Sequence, residues 1–158
     1  MISIERGLRH MAWSNQRIFE ELATLPEEIY GLRAAEGEWP VGKIITHFIG
    51  SAEWYRYCTT GEKWEEIIPI RTHEILKSQA PRLAALDAVL IAQSSLPDEL
   101  CDYENEDGPA STLRSVILHQ AINHTAEHKG QLATVLKQHG FHLDLDNKDL
   151  WSFNNATN

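Results

Sequence analysis

Cysteine is scarce in this chain. Its 158 residues hold two, Cys58 and Cys101, and neither belongs to a C-x-x-C pair. That excludes a disulfide scaffold and a zinc knuckle built on thiolates, and it fits two free thiols in a cytoplasm. Positive charge is also short: 14 Lys and Arg stand against 23 Asp and Glu, for a formal net charge of −9. No basic cluster is present, so neither nucleic acid nor an anionic membrane surface is an expected partner. No apolar run is long enough to span a bilayer. The segment Met1 to Met11 mixes charged with apolar residues and lacks the apolar stretch of a signal peptide, so a cytoplasmic location is expected. Phosphate-cradling glycine motifs, internal repeats and low-complexity stretches are missing too. Asp144-Leu145-Asp146 opens like a calcium loop, but Asp149 stands where that loop needs Gly and Asn155 where it needs Glu.

What is present is a globular composition, 42% apolar and 23% charged, at a length that suits one domain over residues 1–158. Four segments carry a helical period. In the first, Ile4, Leu8, Met11, Ile18, Phe19 and Leu22 recur at three- and four-residue spacings, with Ser3 as N-cap and Pro26 as stop. Asn15, a poor helix former in mid-helix, is a candidate for an inward hydrogen bond. The second segment starts at Pro40 and ends at Gly61. The third runs from about Thr72 to about Ser95, with Pro81 as a kink or break. The fourth is capped by Ser111 or Thr112 and ends at Gly140. The stretches 62–71 and 96–110 read as loops, the second acidic, and 141–158 as a mostly polar tail. The expected fold is all-α: a four-helix bundle with long connections and a short C-terminal tail.

The fourth segment contains His124 and His128. Residues four apart on a helix share a face, ~5–6 Å apart at Cβ, so two imidazoles there can hold one metal ion from one side. Gln131 lies near the same stripe, and Ile117, Ala121, Leu132 and Val135 turn it toward a core. Inward polar groups cost free energy unless something satisfies them, and a metal would. The plainer alternative is one hydrogen-bonded core histidine and one at the surface. In the second segment His47 lies beside the apolar stripe, in register with Ser51 and Trp54, where a bundle can bring it across to the pair. His124-Thr125-Ala126-Glu127-His128 also spells the inverted zinc-peptidase motif, but the residues after His128 hold no Glu to complete its ligands. His10, His73, His119, His139 and His142 read as structural or exposed.

Four pieces resemble, in order, motifs of the DinB/YfiT-like family of four-helix metalloproteins. Trp13-Ser14-Asn15-Gln16-Arg17-Ile18 looks like its W-[AS]-N-x-R-[IL]. Trp39, Ile44-Ile45-Thr46-His47-Phe48 and Glu53-Trp54 resemble its second helix. His124 to Leu132 matches H-x3-H-[RK]-G-Q, with Lys129 where Arg is commoner. Asp149-Leu150-Trp151-Ser152-Phe153 looks like its tail. The resemblance implies that His47, His124 and His128 bind one divalent ion, zinc, nickel or iron, with a position left open. It also implies a small-molecule substrate, a low-molecular-weight thiol as cosubstrate, transferase or hydrolase chemistry, and a homodimer. Gln131, Glu127, Glu53 and Asn15 are the candidates to orient imidazoles or substrate. The alternative is a stress-response or ligand-binding module that holds metal without catalysis.

Overall fold

The computed structural model describes residues 3–157; Met1 and Ile2, which open the leader segment considered above, and Asn158 at the tail's end lie outside. Helix α1 spans Ile4–Leu22 and buries Leu8, Met11, Ile18, Phe19 and Leu22. A 3₁₀ turn at Glu27–Gly31 leads to α2, Val41–Thr60, entered from Pro40 and closed by Gly61. Helix α3, His73–Gln93, starts where Thr72 accepts a hydrogen bond from the Ile75 amide at 3.2 Å, and it runs unbroken across Pro81. Helix α4 spans Arg114–Gln138. It ends in a Schellman motif: the Phe141 amide reaches Leu136 O at 3.0 Å and the Gly140 amide reaches Lys137 O at 3.1 Å. Gly140 takes φ 81°, which a side chain would resist.

Three stretches depart from the sequence reading. Residues 96–110 are not a plain loop, because Leu100–Asn105 (β1) and Gly108–Leu113 (β2) pair antiparallel. Ser111 and Thr112 therefore sit in β2 and do not cap α4. The cap is Asp98, whose carboxylate accepts from the Ser115 amide and hydroxyl, both at 2.8 Å. An acid there also suits the positive end of the helix. In the tail, Leu150–Thr157 forms α5, started by Asp149, which accepts from the Ser152 amide at 2.7 Å. Among the described residues the architecture is thus mostly helical, with five α-helices and one small two-stranded sheet, where a purely helical chain was expected. Among the described residues no helix is long and apolar enough to cross a membrane.

α1 and α2 each pack against both α3 and α4. Arg114 reaches the Thr59 carbonyl while His124 meets His47, so α2 and α4 run antiparallel. A Cβ on Gly7 would lie 3.0 Å from Ile122, and Ser14 meets Lys129 further on, so α1 and α4 run parallel. The connection after α2 is held along it. Thr46 Oγ1 accepts from the Ile70 amide at 2.8 Å, and Gly42 lies so close that a Cβ would stand 2.3 Å from Ile70 O.

The core is split in two. One apolar cluster gathers Ile18, Leu22, Ile45, Ile49, Leu83 and Leu132, among others. The second gathers Leu8, Met11, Tyr55, Leu90, Leu118 and Ala121. On every long helix the break between them holds polar residues: Ser14 and Asn15 on α1, Glu53 on α2, Asp87 on α3, and His124, His128 and Lys129 on α4. All of these except His124, which is half-buried, are buried.

Candidate metal centre

α2 carries His47 and α4 carries His124 and His128 to one point. The Nε2 atoms of His124 and His128 are 3.1 Å apart, and those of His47 and His124 are 3.3 Å apart. The three rings meet edge to face, at interplanar angles of 67°, 84° and 81°. One ligand atom from each lies within 4.8 Å of the others, so the cluster could hold a metal ion. The donor set fits: two nitrogens bound at ~2.05 Å with a tetrahedral angle stand about 3.3 Å apart. Three neutral imidazoles facing one another through Nε2 cannot all donate, so an electrophile between them satisfies what the protein does not.

The surroundings favour the neutral, ligating form. Burial holds the pKa of His47 below the ordinary histidine value, and the charges of His128 and Lys43 push the same way. Burial also lowers that of His124, helped by His128 and His47 and opposed by Glu127. Gln131 Oε1 accepts from His128 Nδ1 at 2.9 Å, which leaves the Nε2 lone pair free. Ser51 Oγ donates to the His47 carbonyl at 2.9 Å and lies 3.5 Å from His47 Nε2. Trp39 stands edge-on to His47 with ring centres 5.0 Å apart, while Lys43 Nζ lies 4.5 Å over the indole.

A cavity of about 470 Å³ opens beside the cluster, lined by Glu38, Trp39, Glu127, His128 and Gln131. Two larger ones, about 620 Å³ and about 650 Å³, include none of the three imidazoles among their lining residues. Gln131 and Glu127 therefore belong to the surroundings of the cluster, Glu127 as an exposed rim residue.

Glu53 and Asn15 are engaged elsewhere, and this corrects the sequence expectation for both. Glu53 binds Arg56 at 2.6 and 3.1 Å and accepts from the Glu65 amide at 2.9 Å, which pins the connection after α2. Asn15 Nδ2 donates to Asp87 Oδ2 at 2.9 Å. Sequence reasoning missed Asp87 and the inward Lys129. The signal was there: an acid between Leu83, Leu86 and Leu90 on the apolar stripe of α3, and a lysine directly after His128. Burial pushes the Asp87 carboxyl up and the Lys129 ammonium down, and each charge partly restores the other.

With this geometry in view, the comparisons with known proteins point one way. The family model described as DinB family matches residues 3–146. The chain is 22% identical over 140 residues to Protein DinB of Bacillus subtilis (strain 168), covering 82% of this chain and 81% of that protein. The fold is similar to the crystal structure of a DinB-like protein from Bacillus cereus ATCC 10987. There the TM-score is 0.65 at 21% identity, over 86% of this chain and 90% of that one.

Proposed function

The chain belongs to the DinB family, and we propose that it is a metal-dependent enzyme acting on a small molecule, by thiol-dependent transfer or by hydrolysis. The observation that carries this reading is the convergence of three imidazole nitrogens beside a cavity. A closed structural site has four protein ligands, whereas three imidazoles leave a position for water, thiol or substrate.

His47, His124 and His128 would hold the ion, and zinc, nickel and iron all suit imidazole. Bound there, a divalent ion would polarise a substrate oxygen and lower the pKa of a bound water or thiol. The rest falls to the chain. Burial disfavours the charged forms of His47 and His124, and Gln131 fixes the tautomer of His128. Trp39 walls the cavity, and Glu38 and Glu127 give it an acidic rim. In the transfer reaction the thiol sulfur forms a bond to an electrophilic carbon, the leaving group departs with its electron pair, and the thiol proton passes to water.

The reading extends to a four-helix bundle that assembles as a homodimer, which sedimentation would test. To test the function, the metal-loaded protein is mixed with small thiols and activated electrophiles, and thiol consumption is followed. Metal-dependent consumption that disappears in His124→Ala supports an enzyme. Tight metal binding with no thiol-dependent or hydrolytic turnover across the panel would leave the non-catalytic module as the reading.

A further inference from the structure

The histidines occupy one side of the polar layer. The other side, where Ser14 and Lys129 line a separate cavity of about 190 Å³, has no role in the reading above. Lys129 Nζ donates to Ser14 Oγ on α1 and lies 3.5 Å from the Met11 carbonyl. Asp87 on α3, bonded to Asn15, supplies the negative charge that reaches Lys129. Lys129, Ser14, Asn15 and Asp87 are all buried.

A buried ammonium is a poor way to gain stability, since burying its charge is costly and a well-packed apolar side chain is often as good or better. What a buried ammonium bonded to another helix supplies is a fixed arrangement. The apolar residues of α4 would tolerate a small rotation or slide against their neighbours. An ammonium tied to a hydroxyl on another helix does not. Lys129 follows His128 directly, about 100° around the helix, so its anchor on α1 sets the rotation of the segment that carries both α4 histidines. The magnitudes make this matter. An imidazole nitrogen roughly 6 Å from the helix axis swings by roughly 2 Å when the helix turns by about 20°. Metal–nitrogen distances tolerate only about ±0.2 Å.

We propose that Lys129, anchored on Ser14, is a positioning residue that holds His124 and His128 in register with His47 for metal binding. This rests on the reading that the three imidazoles bind a metal.

The test compares zinc affinity, by competition with a chromophoric chelator, with the melting temperature of the metal-free protein. Wild type, Lys129→Met, Lys129→Arg and Ser14→Ala are measured together. Lys129→Met is expected to melt as high as wild type or higher and to bind zinc at least tenfold more weakly. Lys129→Arg is expected to restore affinity to within about threefold, and Ser14→Ala to weaken it in the same direction by about threefold. A folded Lys129→Met that binds zinc like wild type overturns the proposal and leaves the metal site standing. Should that variant fail to fold, unchanged zinc affinity in Ser14→Ala overturns it. Wild type that binds no zinc overturns the metal reading itself, and this proposal with it.

Discussion

Two polar clusters lie at the same level of the helical body and are built on opposite terms. The cluster of Ser14, Asn15, Asp87 and Lys129 is buried and joined across three helices by the Lys129–Ser14 and Asn15–Asp87 hydrogen bonds, with a cavity of about 190 Å³ against Ser14 and Lys129. The cluster of His47, His124 and His128 borders a cavity, and its nitrogens point at one another with no protein group between them. Both interrupt an apolar core and both cost stability for that reason. One is compensated in part from within the chain, with Asn15 Oδ1 and Asp87 Oδ1 left without a partner. The other has the form of a site completed by a ligand. Polarity in a core therefore does not by itself identify a functional site; the discriminating feature is whether ligand atoms converge on one point, as the three imidazoles do.

The comparison breaks most severely at Asp87. Asp87→Ala leaves Asn15 Nδ2 buried without its acceptor, and should cost about 1–3 kcal/mol in urea unfolding of the metal-free protein. At the histidines the same experiment should show little: His124→Ala removes a half-buried ring and strands no buried charge. A large loss there and a small one at Asp87 would invert the account. Next in size is Gln131→Ala. It frees the tautomer of His128 and should weaken metal binding about 10–100-fold without moving metal-free stability. Calorimetric titration with zinc reads this directly, and wild-type affinity in the variant would remove Gln131 from the site.

The pH dependence sharpens the contrast with a smaller effect. His47 and His124 have pKa values below the ordinary value of about 6.5. As pH falls through that range the unfolded chain takes up protons that the folded histidines refuse. Their contribution is thus intact above about pH 6.5 and is lost in acid. Asp87 has the opposite sign: its carboxyl is raised from 3.8 to about 7, so the folded state takes up its proton first and gains stability as pH falls between those values. Metal-free Asp87→Asn should therefore lose stability more steeply from about pH 7 to about pH 5 than wild type. Parallel pH profiles for the two would refute the opposition.

The long helices and the pairing of His124 with His128 were legible because both follow from the 3.6-residue period, whereas the place of His47 beside them was implied by the family resemblance. That period tells which residues share a face and turns His124 and His128 inward together. It does not tell which neighbour a face meets. For that reason Asn15 and Glu53, candidates to orient imidazoles or substrate, bind Asp87 and Arg56 instead. The hairpin escaped notice because Leu100–Asn105 and Gly108–Leu113 are short, largely polar, and contain Pro109. The available signal was Asp107-Gly108 at the turn, with Tyr103 and Thr112 bonded across it at 2.9 Å. α5 was hidden by its brevity, although Asp149 three residues before Ser152 is a capping pattern. Lys129 was the hardest to see, since a lysine beside a motif histidine reads by default as a solvated charge.

The central claim is that three imidazoles form one metal centre. Elemental analysis of purified protein, as wild type and as His47→Ala, His124→Ala and His128→Ala, tests it most directly. The account predicts close to one divalent ion per chain in wild type and loss of it in each variant, with the helical circular dichroism retained. Wild type that stays metal-free after incubation with zinc or nickel, or variants that keep the ion, would contradict it.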